Sequence, residues 1–460
     1  MQEEFDLVVI GAGPGGYVAA IHAAKLGMRV AVAEEREVGG TCLNRGCIPT
    51  KTLMYATHIY REMTMCEKLG IFAENLSYDI EKLYARKDEV VLQLRAGIEF
   101  LFKTNNITLL SGKAVLGGSG TVSVNTADGL LELKAKNILI AAGSLPVSLP
   151  IEGAQLPGVI TSDGILEQSG TAYKSLTIIG GGVIGVELAT VFSSLGCRVS
   201  MIEAMDRILP TMDREIAQNL NMILKKRGIN IYTTSAVEQI VQGENGLICH
   251  FRQKGKEQTA EAEAVLVAVG RRANVEGIFG DSISIECNRG IVVDEHFQTS
   301  LPGVYAIGDV IHGGIQLAHA ASAQGICAVA HMAGKTPEIN LDVIPSCVYT
   351  DPEIASVGLT ADEAKKQGMA VKTGKYSMLG NGKSVIEMQE RGFVKLVFDA
   401  QSEVLLGAQL MCARATDMIS ELSTAIANKL TIHQLGSVVR PHPTFTEGIT
   451  EAIEAVKEKN

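Results

Sequence analysis

Residues 11–34 read GAGPGGYVAAIHAAKLGMRVAVAE, and residues 180–203 read GGGVIGVELATVFSSLGCRVSMIE. Aligned without a gap, nine of the 24 positions are identical, including the glycine triplet, the Leu-Gly pair and the final glutamate. One structural unit is used twice. Each copy follows an apolar run suited to a buried parallel strand, Leu7 to Ile10 and Leu176 to Ile179, and opens an Ala- and Leu-containing helical stretch. The predicted order in both is strand, turn, helix, strand. Gly11 permits the tight turn, Gly13 lets backbone approach a pyrophosphate, and Gly16 lets the helix pack on the strand; Gly180, Gly182 and Gly185 repeat these roles. The helix N-terminus then offers free N–H groups and a positive dipole end to phosphate. Glu34 and Glu203, each 23 residues after the first glycine, end the second strand where a carboxylate accepts from ribose hydroxyls. A lone triplet can be no more than a tight strand-to-helix turn. Two copies with matched acids imply two dinucleotides. A 2′-phosphate would be repelled by Glu203, which favours NAD over NADP, although Arg207 stands close by in sequence as a possible phosphate partner.

Seven residues beyond Glu34 begins TCLNRGCIPTK, with Cys42 and Cys47 at the start of an expected helix running on through Leu53 and Ile59. Five residues of ideal helix rise about 7.5 Å, beyond the roughly 7 Å at which two α-carbons can be bridged. A disulfide therefore requires a distorted turn, for which Gly46 and Pro49 are the candidates. A thiol at a helix N-terminus has a lowered pKa and exchanges faster, which suits a reversible catalytic disulfide. The alternatives are a structural disulfide, a metal site or two buried thiols. A reducing compartment disfavours the first, and zinc lacks a second close Cys or His pair.

Composition sets the frame. A chain of 460 residues exceeds one ordinary core, so two to four domains are expected. Hydrophobic residues make up 46%, without a run of 18 uninterrupted apolar residues, which argues against a membrane protein. A net charge of -10 with mixed signs and no basic block argues against nucleic-acid binding. Nine scattered cysteines do not form a secreted disulfide framework. Gly11 comes too early to leave room for a signal or transit peptide, so a cytoplasmic location is expected.

These motifs resemble those of the pyridine nucleotide-disulfide oxidoreductases. GGTCLNRGCIPTK is similar to that family's redox-active disulfide motif, and GAGPGG to its FAD motif. TSLPGVYAIGD, residues 299–309, matches its second FAD segment, and IPSCVYTDPEIASVGLT, residues 344–360, resembles the opening of its dimerisation domain. The resemblance implies an α/β fold with two Rossmann-like domains, for FAD and NAD, plus a C-terminal α+β dimerisation domain. It divides the chain into an FAD-binding domain at 1–150, an NAD-binding domain at 151–272, a return segment at 273–340 and an interface domain at 341–460. Proline-containing junctions at Leu145 to Pro150 and Thr336 to Pro345 agree with two of these divisions.

The same resemblance assigns the first repeat to FAD and the second to NAD. It places Asp309 on the flavin ribityl chain, Gly143 and Gly270 at the cofactors, and Lys51 against the flavin in a pair with Glu187. Without it, Lys51 reads as an ordinary solvated lysine. In HPTFTE it implies a catalytic dyad of His442 and Glu447, with the histidine serving the partner subunit's active site in a homodimer. Pro441 and Pro443 would present the imidazole in a fixed direction. Thr444 and Glu447 equally match a helix capping box, which needs no active site. His319 is read as structural. The implied activity is oxidation of a dihydrolipoyl group through Cys42 and Cys47, Cys47 being the flavin-proximal sulfur, with electrons passing through FAD to NAD. The implied partner is the lipoyl-bearing protein of a 2-oxoacid dehydrogenase or glycine cleavage system. Mercuric reductases carry a C-terminal cysteine pair, whereas the last cysteine here is Cys412, and glutathione reductases prefer NADP. A reductase of another small disulfide, or a docking or redox-sensing flavoprotein, are the other readings.

Overall fold

The computed structural model describes residues 3–168 and 170–458. Strand β1 (Glu3–Ile10) lies at the centre of the first sheet because both its faces are covered: Phe5 and Leu7 to Ile10 are all buried. Each such side chain contributes roughly 1.5–3 kcal/mol of burial free energy. β1 pairs in parallel with β2 (Val30–Glu34) on one side, Leu7 opposite Val30, and with Gly129–Ile140 on the other, Ile10 opposite Ile140. Thr108–Gly118 extends the parallel sheet beyond β2, and Val304–Ala306 extends it beyond Gly129–Ile140. The outer halves of the two long strands are bridged by Thr121–Thr126 into an antiparallel meander. Helix α1 (Pro14–Lys25) crosses from β1 to β2 through small residues, with Ala19, Ala20 and Ala23 fully buried. The strand, turn and helix order expected of the first repeat is observed.

The second repeat builds a five-stranded parallel sheet in the order Asn230–Tyr232, Arg198–Ile202, Ser175–Ile179, Ala264–Val267, Val159–Thr161. Its crossover helix, Val183–Ser194, is buried from Gly185 to Phe192. A three-stranded antiparallel sheet spanning Ser235 to Ala262 packs on it through Ile240, Leu247 and Phe251. Where the chain leaves the first sheet and where it returns, Ser144–Pro146 and Arg271–Ala273 run antiparallel side by side. The two crossings thus form one two-stranded ribbon.

The C-terminal portion is a five-stranded antiparallel sheet, Ser346–Val348, Ile354–Gly358, Leu405–Met411, Phe393–Asp399 and Val371–Ser377. Helices Ala415–Ala427 and Glu447–Lys457 cover it, burying Met418, Ile419, Leu422, Ile449 and Ile453. The fold is the expected one: two Rossmann-like units and an α+β domain. Among the described residues, no helix is long and apolar enough to cross a membrane.

Candidate active site

The two glycine turns are superimposable in their chemistry. Gly11 and Gly180 have φ of +99° and +109°, a left-handed conformation that glycine adopts freely. A Cβ on Gly16 would sit 2.0 Å from the Gly11 carbonyl oxygen, and one on Gly185 would sit 2.1 Å from that of Gly180. These two positions close the helix onto the turn and lie behind the cavity rather than in it. At the helix N-caps the reverse holds. A Cβ on Gly182 would meet nothing within 4 Å, and one on Gly13 only the Gly40 Cα at 3.9 Å.

The paired acids are held alike. Glu34 accepts the Ala12 amide at 2.7 Å and the Arg36 amide at 2.9 Å. Glu203 accepts the Gly181 amide at 2.5 Å and the Met205 amide at 2.6 Å. Each carboxylate is thereby fixed by backbone from both ends, with lone pairs left for ribose hydroxyls. Arg207 is engaged elsewhere: its guanidinium donates to Asp206 at 3.1 Å and to the Pro210 carbonyl at 2.9 Å.

Between the two units runs a cavity of about 1500 Å³. A single small-ligand pocket spans roughly 300–1,000 Å³, so this one has room for more than one such ligand. Gly11, Gly13 and Glu34 of the first unit and Gly180, Gly182 and Glu203 of the second all line it. Cys42, Cys47, Lys51, Glu187, Gly143, Gly270 and Asp309 line the same cavity. Asp309 is half-buried, and the desolvation pushes its carboxyl pKa up; a 2.6 Å hydrogen bond from Ser144 and the nearby Arg271 guanidinium oppose that. Open helix N-termini, fixed carboxylate acceptors and the half-buried Asp309 are the donors and acceptors that two dinucleotides require, so the residues fit FAD and NAD.

The cysteine pair departs from the expected single helix. Helix α2 (Gly40–Arg45) ends at Gly46, and α3 (Cys47–Thr64) starts afresh at Cys47. The break is at Gly46, where a Cβ would come within 2.9 Å of the Thr41 carbonyl oxygen and 3.3 Å of the Cys42 Cα. Pro49 makes no distortion of its own, because it sits in the first turn of α3, where an amide has no helical partner to lose. Both cysteines are free thiols here, and they share a hydrogen bond. Cys47 is lowered to about 7, chiefly because it accepts from the Cys42 thiol, with the Lys51 ammonium also favouring its thiolate. Cys42 is pushed strongly upward as the donor to that sulfur, by burial and by the adjoining negative charge. Of the two sulfurs, Cys47 is the more acidic and Cys42 the better holder of a proton.

Lys51 Nζ donates to Glu187 at 2.7 Å, and Glu187 is almost fully buried. The other Glu187 oxygen accepts the Tyr349 amide at 2.9 Å, and Lys51 lies over the Tyr349 ring at 4.8 Å. His442 and Glu447 also meet, Nδ1 to Oε1 at 2.8 Å. Glu447 accepts the Thr444 amide at 2.9 Å, and both contacts hold its carboxyl below the usual range, the backbone one first. The capping box is only half formed. The helix starts at Glu447 with Thr446 as its cap residue, and the Thr444 hydroxyl donates to Pro441 instead. This dyad does not line its own chain's cavity, and the His442 side chain is 78% exposed. His319 bonds the Pro345 carbonyl at 2.8 Å and also faces the cavity.

Sequence reasoning missed Arg271. Its guanidinium donates to Ser144 at 2.9 Å, to Asp163 at 2.7 Å and to Thr41 at 3.5 Å, tying the two-stranded ribbon to the residue before Cys42. Only its place beside Gly270 could have marked it.

Residues 5–325 match the family described as pyridine nucleotide-disulphide oxidoreductase, and residues 344–453 match the dimerisation domain of the same family. A dihydrolipoyl dehydrogenase of Bacillus subtilis (strain 168) is 41% identical over 100% of this chain and 99% of its own length. The Geobacillus stearothermophilus dihydrolipoyl dehydrogenase is 37% identical over 98% of this chain and 96% of its own. Among solved structures, LpdA from Mycobacterium tuberculosis superposes with a TM-score of 0.90 at 25% identity, covering 98% of this chain and 99% of that one. The Cu(II) complex of the HOCl-induced flavoprotein disulfide reductase RclA from Escherichia coli superposes at 0.87 and 29% identity, covering 99% and 100%. Both domain matches and end-to-end relatives agree with the paired nucleotide cradles and the dithiol between them: the chain belongs to the pyridine nucleotide-disulphide oxidoreductase family.

Proposed function

We propose that this chain, as a homodimer, oxidises protein-bound dihydrolipoyl groups to lipoyl groups through Cys42 and Cys47, with FAD and NAD as cofactors. The observation that carries the reading is the Cys42–Cys47 pair in the wall of the cavity that both glycine turns line, beside the Lys51–Glu187 pair at 2.7 Å. FAD is assigned to the cradle of Gly11, Gly13, Glu34 and Asp309, and NAD to that of Gly180, Gly182 and Glu203. When bound, FAD supplies a two-electron acceptor for the dithiol and a hydride donor to NAD.

In the oxidised enzyme the two sulfurs are joined. His442 of the partner subunit removes a proton from one substrate thiol, and the thiolate attacks Cys42, releasing Cys47 as a thiolate. The second substrate sulfur gives up its proton and attacks the first, so the lipoyl disulfide leaves and Cys42 departs with a proton. One proton stays on Cys42, the other leaves through His442, and Cys47 keeps the negative charge. That end state agrees with the order of acidity of the two sulfurs. Glu447 fixes the His442 tautomer, and Lys51 steadies the Cys47 thiolate by its charge.

The domain divisions at 150, 272 and 340 belong to the same reading, supported by the Ser144–Pro146 and Arg271–Ala273 ribbon. A dimer is supported by the matched dimerisation domain and by the exposed apolar stripe Tyr55, Ile59 and Met63 on α3. The lipoyl-bearing partner follows from the substrate, and a cytoplasmic setting suits the free thiols. No observation favours a docking or sensing role without turnover.

The test is anaerobic stopped-flow mixing with dihydrolipoamide, followed by NAD. A rapid long-wavelength thiolate-to-flavin band, then stoichiometric NADH, is expected. A flavin spectrum indifferent to dihydrolipoamide but reduced by NADH would move the substrate to another disulfide.

A further inference from the structure

We propose that Arg440 is a positioning residue for His442, acting through the backbone of the loop that carries it. The inference rests on the reading of His442 as the base. The imidazole has one side-chain partner, Glu447, and is otherwise exposed, so its position depends on that contact and on its main chain. That main chain is poorly held by burial: positions 437–439 and 441–443 are all exposed. Arg440 is the exception, its side chain 3% exposed.

The guanidinium reaches into the angle between the two helices that cover the sheet. It pairs with Glu421 on Ala415–Ala427 and donates to Thr450 Oγ1 on Glu447–Lys457 at 3.0 Å. It also lies 3.5 Å from the Leu435 carbonyl oxygen, at the end of the preceding short helix. The segment is thereby fastened two residues before His442. Two residues after it, the buried Asn381 amide donates to the Thr444 carbonyl at 2.9 Å. His442 hangs between these two fastenings. Because Glu421 neutralises Arg440, the arginine acts by geometry rather than by its field at the imidazole. Planar, multidentate anchoring of this kind is what a guanidinium supplies and an ammonium supplies only in part. A misplacement of about 1 Å at a reacting group can lower a rate by roughly 100-fold.

The experiment compares parent, Arg440→Met, Arg440→Lys, Glu421→Gln and His442→Gln as flavin-loaded dimers. Single-turnover reduction by dihydrolipoamide is measured beside NADH-to-ferricyanide turnover, which does not need the base. Arg440→Met is expected to slow the dithiol step by roughly 10- to 100-fold and to leave ferricyanide turnover near the parent value. Arg440→Lys should recover most of the loss. A parent-like dithiol rate in Arg440→Met overturns the proposal, as does proportional loss of both activities or of the dimer, which would mark a purely structural residue. If Arg440→Met does not fold, Glu421→Gln decides: a loss confined to the dithiol step supports positioning, and a parent-like dithiol rate overturns it. If His442→Gln itself keeps the parent rate, the base reading fails and this proposal falls with it; a slow His442→Gln beside a fast Arg440→Met overturns the positioning alone.

Discussion

Lys51 and Glu187 are 136 residues apart in sequence and meet at 2.7 Å, with the second oxygen of Glu187 taken by the Tyr349 amide. One buried carboxylate therefore joins the helix that begins at Cys47, the crossover helix of the second nucleotide unit and the C-terminal domain. Its charge and that of Lys51 act on Cys47 in opposite senses, Lys51 lowering and Glu187 raising the thiol pKa.

The Cys47 thiolate should persist above about pH 7 in the two-electron-reduced enzyme and be lost as pH falls through that value, since its pKa is depressed to about 7. The long-wavelength thiolate-to-flavin band reports it. Lys51→Met should move the midpoint to higher pH and Glu187→Gln to lower pH. Shifts in the same direction for both variants would sink this electrostatic account.

In the proposed cycle Cys47 is the sulfur that leaves when Cys42 is attacked, and Cys47→Ser removes it. Dithiol turnover should disappear while flavin content and NADH-to-ferricyanide turnover remain. Normal lipoamide turnover in this variant would overturn the disulfide mechanism.

His442→Gln should slow the dithiol half-reaction by roughly 10²- to 10⁴-fold, the usual contribution of a general base. A hybrid dimer of Cys47→Ser and His442→Gln subunits tests where the base acts. If each base serves the opposite subunit, the hybrid has one intact site and recovers about half the parent activity, as two-fold symmetry requires. An inactive hybrid would place the base in its own subunit.

Gly46→Ala places a methyl group 2.9 Å from the Thr41 carbonyl oxygen. Overpacking of this kind costs about 1–3 kcal/mol. Relief by moving α2 away from α3 would separate the sulfurs. A lower Tm and slower re-formation of the disulfide are expected, followed by thiol titration after dithionite reduction. Parent-like closure would show that the break between the helices does not depend on glycine here.

Glu203→Arg should erode the preference for NAD, measured as the ratio of kcat/KM for NAD and NADP. The same change removes the acceptor for the Gly181 and Met205 amides. Glu203→Gln keeps an acceptor oxygen and separates the two effects: it should weaken NAD binding with less loss of stability. An unchanged cofactor ratio in Glu203→Arg would argue that Arg207 or the surrounding turn sets specificity.

Short-range pattern alone determined the two strand–turn–helix–strand units and singled out the Cys42–Cys47 pair, whereas the C-terminal α+β domain was legible only through the family resemblance of residues 344–360. Apolar runs such as Leu7 to Ile10 suit a strand buried on both faces, and the glycine triplet that follows each suits a tight turn into a closely packed helix. These constraints act within about 25 residues, so they are written locally. The position of the helix break was less legible, because Gly46 and Pro49 are both plausible breakers and only the approach of the Thr41 carbonyl selects the glycine. Arg271 with Asp163, Ser144 with Asp309, and Lys51 with Glu187 left no spacing to read, since their meeting depends on how separate sheets pack. Likewise the sequence placed Glu447 near His442 without choosing between a cap and a dyad. The tertiary structure lets one carboxylate serve both, accepting the Thr444 amide with one oxygen and holding the His442 imidazole with the other.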